Sequence, residues 1–199
     1  MSITEFYTAK TSPLTYGGEA NLSGITYEST VDGDGVRVAL FFSGCRHNCV
    51  GCHNPQTHNF NTGIPFTEDI QDNIIRYVRE HPYVKGITLT GGDPMFSALR
   101  IIPFVVKFRR TFPHLDVWVY SGFTYEELWK DYRTSALLML CDVLVDGPFL
   151  QRLKDSSLAF RGSSNQRIID VQKSVVRGSV VLWQPRSSSE EDCFAYLEG

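Results

Sequence analysis

Three cysteines lie within eight residues of this chain, with the spacing C-x3-C-x2-C at Cys45, Cys49 and Cys52. They follow the apolar residues 36–42, a run that predicts a buried strand. A short loop at a strand end can turn three sulfurs toward one point, and three thiolates can hold three irons of a cubane cluster. Since four cysteines usually hold such a cluster, this loop leaves one iron open for a cofactor or substrate.

The cysteine spacing alone leaves two other interpretations open. Three histidines lie near the cysteines in the sequence, at His47, His53 and His58. One of them, together with the three cysteines, would make a Cys3His zinc site. The three thiols would otherwise be free cysteines in a loop. Other parts of the chain are needed to distinguish a cluster, a zinc ion and free thiols.

The residues around the third cysteine resemble a known family. C-x3-C-x2-C is the cluster motif of the radical S-adenosylmethionine (SAM) enzymes, and residues 49–57 look like the activating proteins of anaerobic (class III) ribonucleotide reductase. Many radical SAM enzymes have an aromatic residue where this chain has Gly51. A residue that is not aromatic at this position is typical of the ribonucleotide-reductase activating proteins. The resemblance implies that the three cysteines hold a 4Fe-4S cluster whose fourth iron binds SAM. It also assigns three residues to the cofactor site: Gly51, Cys52 and His53.

A second candidate segment follows the predicted strand at residues 86–90. Two glycines at a strand end let the backbone approach a ligand closely, although an ordinary strand-to-helix turn would also use them. The string T-G-G-D-P resembles the radical SAM segment whose backbone pairs with the amino group of SAM. The resemblance implies cofactor contacts from Gly91, Gly92 and Asp93, so a larger side chain at Gly92 should weaken SAM binding and leave the cluster intact. Ser121 follows the next predicted strand and is a candidate for bonding a SAM hydroxyl, although loop geometry explains it equally well.

The turn at residues 32–35 precedes the cysteine strand, and its glycines supply the positive φ that a tight turn needs. With its neighbours it forms V-D-G-x-G-x-R, which resembles the glycyl-radical activating enzymes. The resemblance implies that Asp32 and Gly33 lie near the active-site mouth, where a loop of the partner enters; on its own, Asp32 is a turn former. Residues 161–167, R-G-S-S-N-Q-R, look like a signature of the ribonucleotide-reductase activating proteins.

Predicted strands and helices alternate from residue 36 onward, which favours an α/β fold with a mostly parallel sheet and outer helices. About four to six strand–helix units fit the chain, too few for a closed eight-unit barrel. The resemblance implies the open, partial β/α barrel of radical SAM enzymes, with the candidate residues at the carboxyl ends of the strands. We predict this domain at residues 25–185, after an N-terminal extension at 1–24 and before a disordered tail at 186–199.

Local signals position several helices and strands. Helices are predicted to begin after Thr67 and after Ser97, and a third begins at Thr124, where T-Y-E-E forms a capping box. Further strands are predicted at residues 25–31, where apolar and polar residues alternate, and at 115–120, 142–146, 168–171 and 178–183.

Composition argues against several classes of function. The 199 residues are 42% hydrophobic, as in an ordinary soluble domain, and the net charge of −3 gives no basis for nucleic-acid binding. The sequence has no apolar run of the length of a membrane span and no signal-peptide pattern, so we expect a cytoplasmic protein that does not enter a membrane. Cys141 and Cys193 are isolated, which is a poor disulfide framework and fits a reducing compartment.

The resemblance implies reductive cleavage of SAM at the cluster, with an electron donor such as flavodoxin or ferredoxin. The partner that it implies is anaerobic ribonucleotide reductase, which would receive a glycyl radical. The cofactors carry this chemistry, so no acid–base side chain is assigned. Two alternatives stay open: a radical SAM enzyme acting on a purine-like small molecule, and a non-enzymatic zinc module that binds a protein. An enzyme of the first kind should lack the string R-G-S-S-N-Q. A zinc module would not require the two glycines at the end of another strand.

Overall fold

The computed structural model describes residues 20–185; the predicted tail and residues 1–19 of the predicted extension lie outside this range. Within it the sheet contains seven strands, β1 (Asn21–Ser29), β2 (Arg37–Phe42), β3 (Ile64–Pro65), β4 (Gly86–Gly91), β5 (Asp116–Tyr120), β6 (Val143–Asp146) and β7 (Arg167–Asp170). The α-helices of the same range are α1 (Glu68–Glu80), α2 (Ala98–Thr111), α3 (Tyr125–Leu128), α4 (Tyr132–Leu138) and α5 (Val171–Arg177). In this part of the chain, each helix is too short or too polar to cross a membrane.

The strand order in the sheet is β3-β1-β2-β4-β5-β6-β7. The central strands β2, β4, β5 and β6 run parallel, with Phe42 opposite Gly91 at the carboxyl ends of β2 and β4. The flanking strands β1, β3 and β7 are antiparallel to their neighbours. The predicted α/β class is therefore confirmed. The sheet is mixed, and the predicted parallel pairing is found among its four central strands. The described strands do not close into a barrel, and a partial barrel of the radical SAM type stays a prediction.

Both faces of the central strands are covered, because successive side chains of a strand point to opposite sides of the sheet. On one face, Leu89 and Val119 are buried in the main core together with apolar side chains of the helices. On the other face, Trp118 and Val145 form a smaller core against which Phe160 packs. Burial on both faces is typical of parallel strands and explains their nearly continuous apolar runs.

The chain after β7 differs from the predicted strand at residues 178–183. Helix α5 begins directly after β7, because the Asp170 side chain accepts a hydrogen bond from Lys173 N at the helix start. Gly178, with φ of 70°, then ends the helix in the left-handed conformation. Residues 178–183 make a single isolated bridge to β7 in the described range, so the prediction of a strand there is wrong.

The predicted helix starts are confirmed, although their caps differ. Helices α1, α2 and α3 follow Thr67, Ser97 and Thr124, as predicted, and Thr124 forms the expected capping box. The side chains of Thr67 and Ser97 make no capping hydrogen bond. Strand β1 begins at Asn21 rather than at residue 25, because this end of β1 pairs with β3 and accepts a hydrogen bond from Ser43 N.

Candidate metal centre

The carboxyl ends of β2 and β4 meet at the cysteine loop, which we define as residues 43–62. Gly92 N donates a hydrogen bond to Phe42 O at 2.7 Å. The next residue, Asp93, donates its backbone N–H to Gly44 O at 2.9 Å. The junction follows from the parallel pairing of the two strands, since their carboxyl ends lie at the same edge of the sheet.

The cysteine loop is closed by backbone hydrogen bonds of its own. Cys45 N donates to His58 O at 3.1 Å, which joins the two arms of the loop near its base. Cys52 N donates to Cys49 O at 3.1 Å and forms a tight turn around the second and third cysteines. The three predicted ligands therefore lie on one loop whose backbone is held at both ends.

The three cysteine side chains of this loop are free thiols and are half-buried. The pKa of the Cys45 thiol is raised to about 12, mainly by burial; a hydrogen bond from the His47 backbone opposes the shift, and Asp93 and the other two thiols add to it. Burial also raises the pKa of Cys49. Because metal binding requires thiolates, a bound cation would have to supply the charge that stabilises them, and the loop has the donor set for a metal group.

The histidines near the cysteines have different surroundings from one another. His53 is exposed, whereas Nε2 of His58 is buried and has no hydrogen-bond partner among the described residues. His47 is hydrogen-bonded to Asp93. Across residues 20–185, no three His, Cys, Asp or Glu side chains are placed so that they surround a single metal ion. The structure thus groups the three cysteines on one loop and separates the histidines.

The buried carboxylate of Asp93 joins the cysteine loop to the ends of β4 and β5. Its Oδ2 accepts hydrogen bonds from His47 Nε2 at 2.8 Å, from Ser121 Oγ at 2.9 Å and from Gly122 N at 3.0 Å. Its Oδ1 accepts one from Met95 N at 2.9 Å. This geometry suits the His47 tautomer with its hydrogen on Nε2, because that nitrogen then donates to a carboxylate oxygen. Asp93 is 1% exposed, so these donors replace the water that it loses on folding.

His47 holds the cysteine loop against the neighbouring strand ends. Its ring lies edge-on to Phe123 and Phe96, with centroid distances of 4.4 and 5.5 Å. A Cβ at Gly122 would lie 2.5 Å from this ring, so a residue without a side chain is needed there for His47 to reach Asp93. The sequence suggests His47 only as a zinc ligand and does not single out Gly122, because only the folded chain brings the two together.

The glycine pair at the carboxyl end of β4, Gly91 and Gly92, is required by close packing of the backbone. Gly91 has a φ of 102°, and a Cβ there would lie 2.5 Å from Phe42 O. A Cβ at Gly92 would lie 2.6 Å from Gly44 O and 2.9 Å from Thr57 O. Both glycines therefore allow the end of β4 to approach β2 and the cysteine loop. This reason is distinct from the predicted SAM contact, which stays a prediction.

Replacing Gly92 by alanine is expected to displace the cysteine loop, because the new methyl group would overlap the backbone of Gly44. Overpacking of this kind costs about 1–3 kcal/mol. The free energy of unfolding in urea and the iron content after reconstitution should therefore both fall, rather than SAM binding alone. Gly24→Ala is the matched control, since a Cβ at Gly24 meets no atom within 4 Å. Equal iron loading in the two variants would contradict the packing role.

The other predicted cofactor positions lie on or beside the cysteine loop. Gly51 has a φ of 72°, and a Cβ there would lie 2.0 Å from Gln151 Oε1, so an aromatic residue at this position would strain the backbone and displace the Gln151 side chain. Cys52 follows it on the same turn, and His53 points toward solvent as an exposed residue. Ser121 is buried and reaches the loop through Asp93. The predicted cofactor residues are thus neighbours in the structure.

The turn that contains Asp32 and Gly33 lies apart from the cysteine loop, against the sheet face that carries Trp118. Thr88 Oγ1 donates to Asp32 O at 2.8 Å, and a Cβ at Gly33 would lie 2.9 Å from the Trp118 ring. Burial and the charge of Asp32 together raise the pKa of Tyr120, the last residue of β5. The turn therefore folds back over the sheet face instead of extending away from it.

Similar proteins match the part of the chain that carries this site. A family model described as a 4Fe-4S single cluster domain matches residues 31–169. The anaerobic ribonucleoside-triphosphate reductase-activating protein of Haemophilus influenzae is 40% identical over 141 residues, which cover 69% of this chain and 90% of that protein. The proteins of the same name from Escherichia coli K12 and Enterobacteria phage T4 are 42% and 36% identical, over 68% and 69% of this chain and 89% and 86% of their own.

Proposed function

Because this chain belongs to the family of anaerobic ribonucleoside-triphosphate reductase-activating proteins, we propose that it forms a glycyl radical on an anaerobic ribonucleotide reductase. The proposed chemistry is reductive cleavage of SAM at a 4Fe-4S cluster. The observation that carries the proposal is the half-buried loop with three cysteines, packed against the carboxyl ends of parallel strands. Ligands of α/β sheets bind at this edge, so a cofactor on the loop would face the position where substrates are expected.

In the proposed site, Cys45, Cys49 and Cys52 hold the cluster as thiolates. When bound, the cluster and SAM supply the electron transfer and the hydrogen-abstracting radical. The protein contributes ligation and orientation, because His47 and Asp93 hold the loop against the strand ends. Three protein ligands leave the fourth iron available to SAM, which is why a three-cysteine loop suits this reaction better than a four-cysteine one.

The proposed SAM contacts come from residues around the loop. They are the backbone of Gly91 and Gly92, the side chain of Ser121, and the turn residues Gly51 and His53. Asp93 is also proposed to contribute, through its backbone carbonyl, since its carboxylate already accepts hydrogen bonds on both oxygens and its N–H donates to Gly44 O. These assignments are supported by proximity to the cysteine loop and by the family membership of the chain.

The proposed function is tested by direct observation of the radical. The protein is reconstituted with iron and sulfide under anaerobic conditions and reduced, chemically or with flavodoxin or ferredoxin as the proposed donor. It is then incubated with SAM and an anaerobic ribonucleotide reductase. A glycyl radical in the electron paramagnetic resonance spectrum of the reductase, with release of methionine, is the expected result. A protein that retains zinc without iron or sulfide, or that cleaves SAM and leaves the reductase without a radical, would contradict the proposal.

Replacing Asp32 by alanine is expected to lower the yield of glycyl radical per methionine released. The proposed reason is that this turn helps to hold the glycine loop of the reductase, and a misplacement of about 1 Å can cost on the order of a hundredfold in rate. Within residues 20–185 the hydrogen bonds of Asp32 go to Ser29 and Thr88, outside the cysteine loop, so the iron content and SAM cleavage in the absence of the reductase should persist. Asp34→Ala, at an exposed residue of the same turn, is the control. An unchanged ratio in Asp32→Ala would leave Asp32 as a turn residue bonded to Ser29.

A further inference from the structure

The tip of the cysteine loop brings the candidate ligands close to the protein surface. The three cysteines are half-buried, and Val50, between the second and third of them, is 79% exposed. Gly51 follows with a positive φ, in the tight turn that the hydrogen bond from Cys52 N to Cys49 O closes. A metal group held by the three thiols would therefore lie just beneath this turn, within short reach of a molecule docked on the loop.

A short 3₁₀ helix, Gln151–Leu153, packs against this turn from the loop that follows β6. None of its three residues is buried. A Cβ at Gly51 would lie 2.0 Å from Gln151 Oε1, so the two segments approach each other closely. Arg152 adjoins Gln151, Lys154 caps the end of the same helix, and both are exposed. The short helix thus places basic side chains beside the turn that carries the second and third cysteines.

The charged side chains of these two segments all have the same sign. The cysteine loop contains Arg46 and has no Asp or Glu, and residues 147–154 contain Arg152 and Lys154 and likewise no Asp or Glu. Arg46 is also exposed. We call these three side chains the basic rim. Because the whole chain has a net charge of −3, the basic rim is a local departure from the overall charge, and it would attract an acidic partner to this surface.

We propose that a small acidic protein that carries a single electron docks on the basic rim and reduces the cluster through the turn between Cys49 and Cys52. The carrier loses one electron and the cluster gains it, so the step needs no further reactant. The rate of electron transfer falls steeply with distance, and the half-buried cysteines make this surface a short route. Encounters between electron carriers and their partners use small interfaces, and complementary charge speeds their formation. This docking rests on the proposed function only in requiring a cluster that has to be reduced.

The test replaces Arg152 and Lys154 together by glutamate, which reverses two exposed charges outside the candidate cofactor site. The probe is an acidic flavodoxin in its reduced state, and stopped-flow absorbance under anaerobic conditions gives the second-order rate constant for reduction of the cluster. We expect that constant to fall by about tenfold at low ionic strength, because complementary charge no longer speeds the encounter. The difference should shrink as salt is added, since exposed charges are screened over about 8 Å at physiological ionic strength.

The matched control is Arg76→Glu with Arg79→Glu, which changes the net charge by the same amount. Both side chains are exposed on the second half of α1, and this helix leads to the amino end of β4, at the opposite edge of the sheet from the cysteine loop. The control variant should keep the rate constant of the unmodified protein. Equal rate constants in the two double variants would overturn the proposed docking.

The reductase is the other protein that could occupy the basic rim. Photoreduction with deazaflavin bypasses the carrier, so the glycyl radical then formed on the reductase should be the same for the Arg152→Glu/Lys154→Glu variant and the unmodified protein. Loss of that radical in the variant would assign this surface to the reductase and overturn the proposed docking.

Binding of oxidised flavodoxin separates this docking from the proposed function, because binding requires no electron transfer. The dissociation constant, measured by calorimetry, should rise about tenfold in the Arg152→Glu/Lys154→Glu variant. An unchanged affinity would overturn the docking and leave the proposed function intact. Absence of a cluster from the unmodified protein would instead contradict the proposed function, and the binding measurement would still decide whether the carrier docks on the basic rim.

Discussion

Alanine at Cys45, Cys49 or Cys52 is expected to abolish the 4Fe-4S absorption of the reconstituted protein and, with it, SAM cleavage. The three thiols lie on one loop, and in the proposed site each of them would ligate a different iron. Removing one leaves two protein ligands for a cluster that already has fewer than the usual four. Iron and sulfide analysis with the visible absorption spectrum measures the loss directly, independently of any reductase.

Cys141 provides the matched control for these three variants. Its side chain is fully buried and donates a hydrogen bond to Leu137 O at 3.3 Å, so it behaves as a small core residue. Cys141→Ala should keep the cluster and SAM cleavage, and the same is predicted for Cys193, which lies outside the described residues. Retention of the cluster after the loss of a loop cysteine, or its loss from the Cys141 variant, would overturn the ligand assignment.

Replacing Asp93 by asparagine is expected to destabilise the protein and to prevent efficient cluster assembly. The carboxylate accepts from three donors on Oδ2 and from Met95 N on Oδ1. An amide has a single acceptor oxygen, so its NH2 group would face donors that need an acceptor. A buried donor left without a partner costs about 1–3 kcal/mol, and the Gly122 backbone N–H cannot turn away. The free energy of unfolding of the metal-free protein should therefore fall by about 1–3 kcal/mol.

The Asp93 variant also has a consequence at the cysteine loop. Without the carboxylate, His47 loses the acceptor that holds it between Gly122 and Phe123, and the loop is then joined to the strand ends by fewer contacts. Iron loading should fall along with stability. Asp155→Asn is the control, because Asp155 is an exposed turn residue bonded to Ser157, and its replacement should change neither measurement appreciably. Normal stability and normal iron loading in Asp93→Asn would show that this network is dispensable.

Local patterns in the chain predicted a good part of the fold and of the site. The apolar runs predicted the central strands, and the capping box at Thr124 predicted the start of α3, because such signals depend on residues only a few positions apart. The C-x3-C-x2-C spacing predicted one loop carrying three thiols, for the same reason. Strands β1 and β7 were predicted, but their antiparallel direction, strand β3 and helix α5 were not, since strand direction and the capping of a short helix depend on how distant segments pack.

The sequence by itself determined which residues are available for metal chemistry, because cysteine spacing and strand-end glycines are local properties of the chain. Only the tertiary structure decided how those residues are held. His47 and Asp93 are 46 positions apart, and Asp93 and Gly122 are 29 apart, yet one carboxylate binds both. The reason is that parallel strands bring the loops at their carboxyl ends to one edge of the sheet. Polar groups that are buried there need hydrogen-bond partners, and a single carboxylate can accept from donors of several loops.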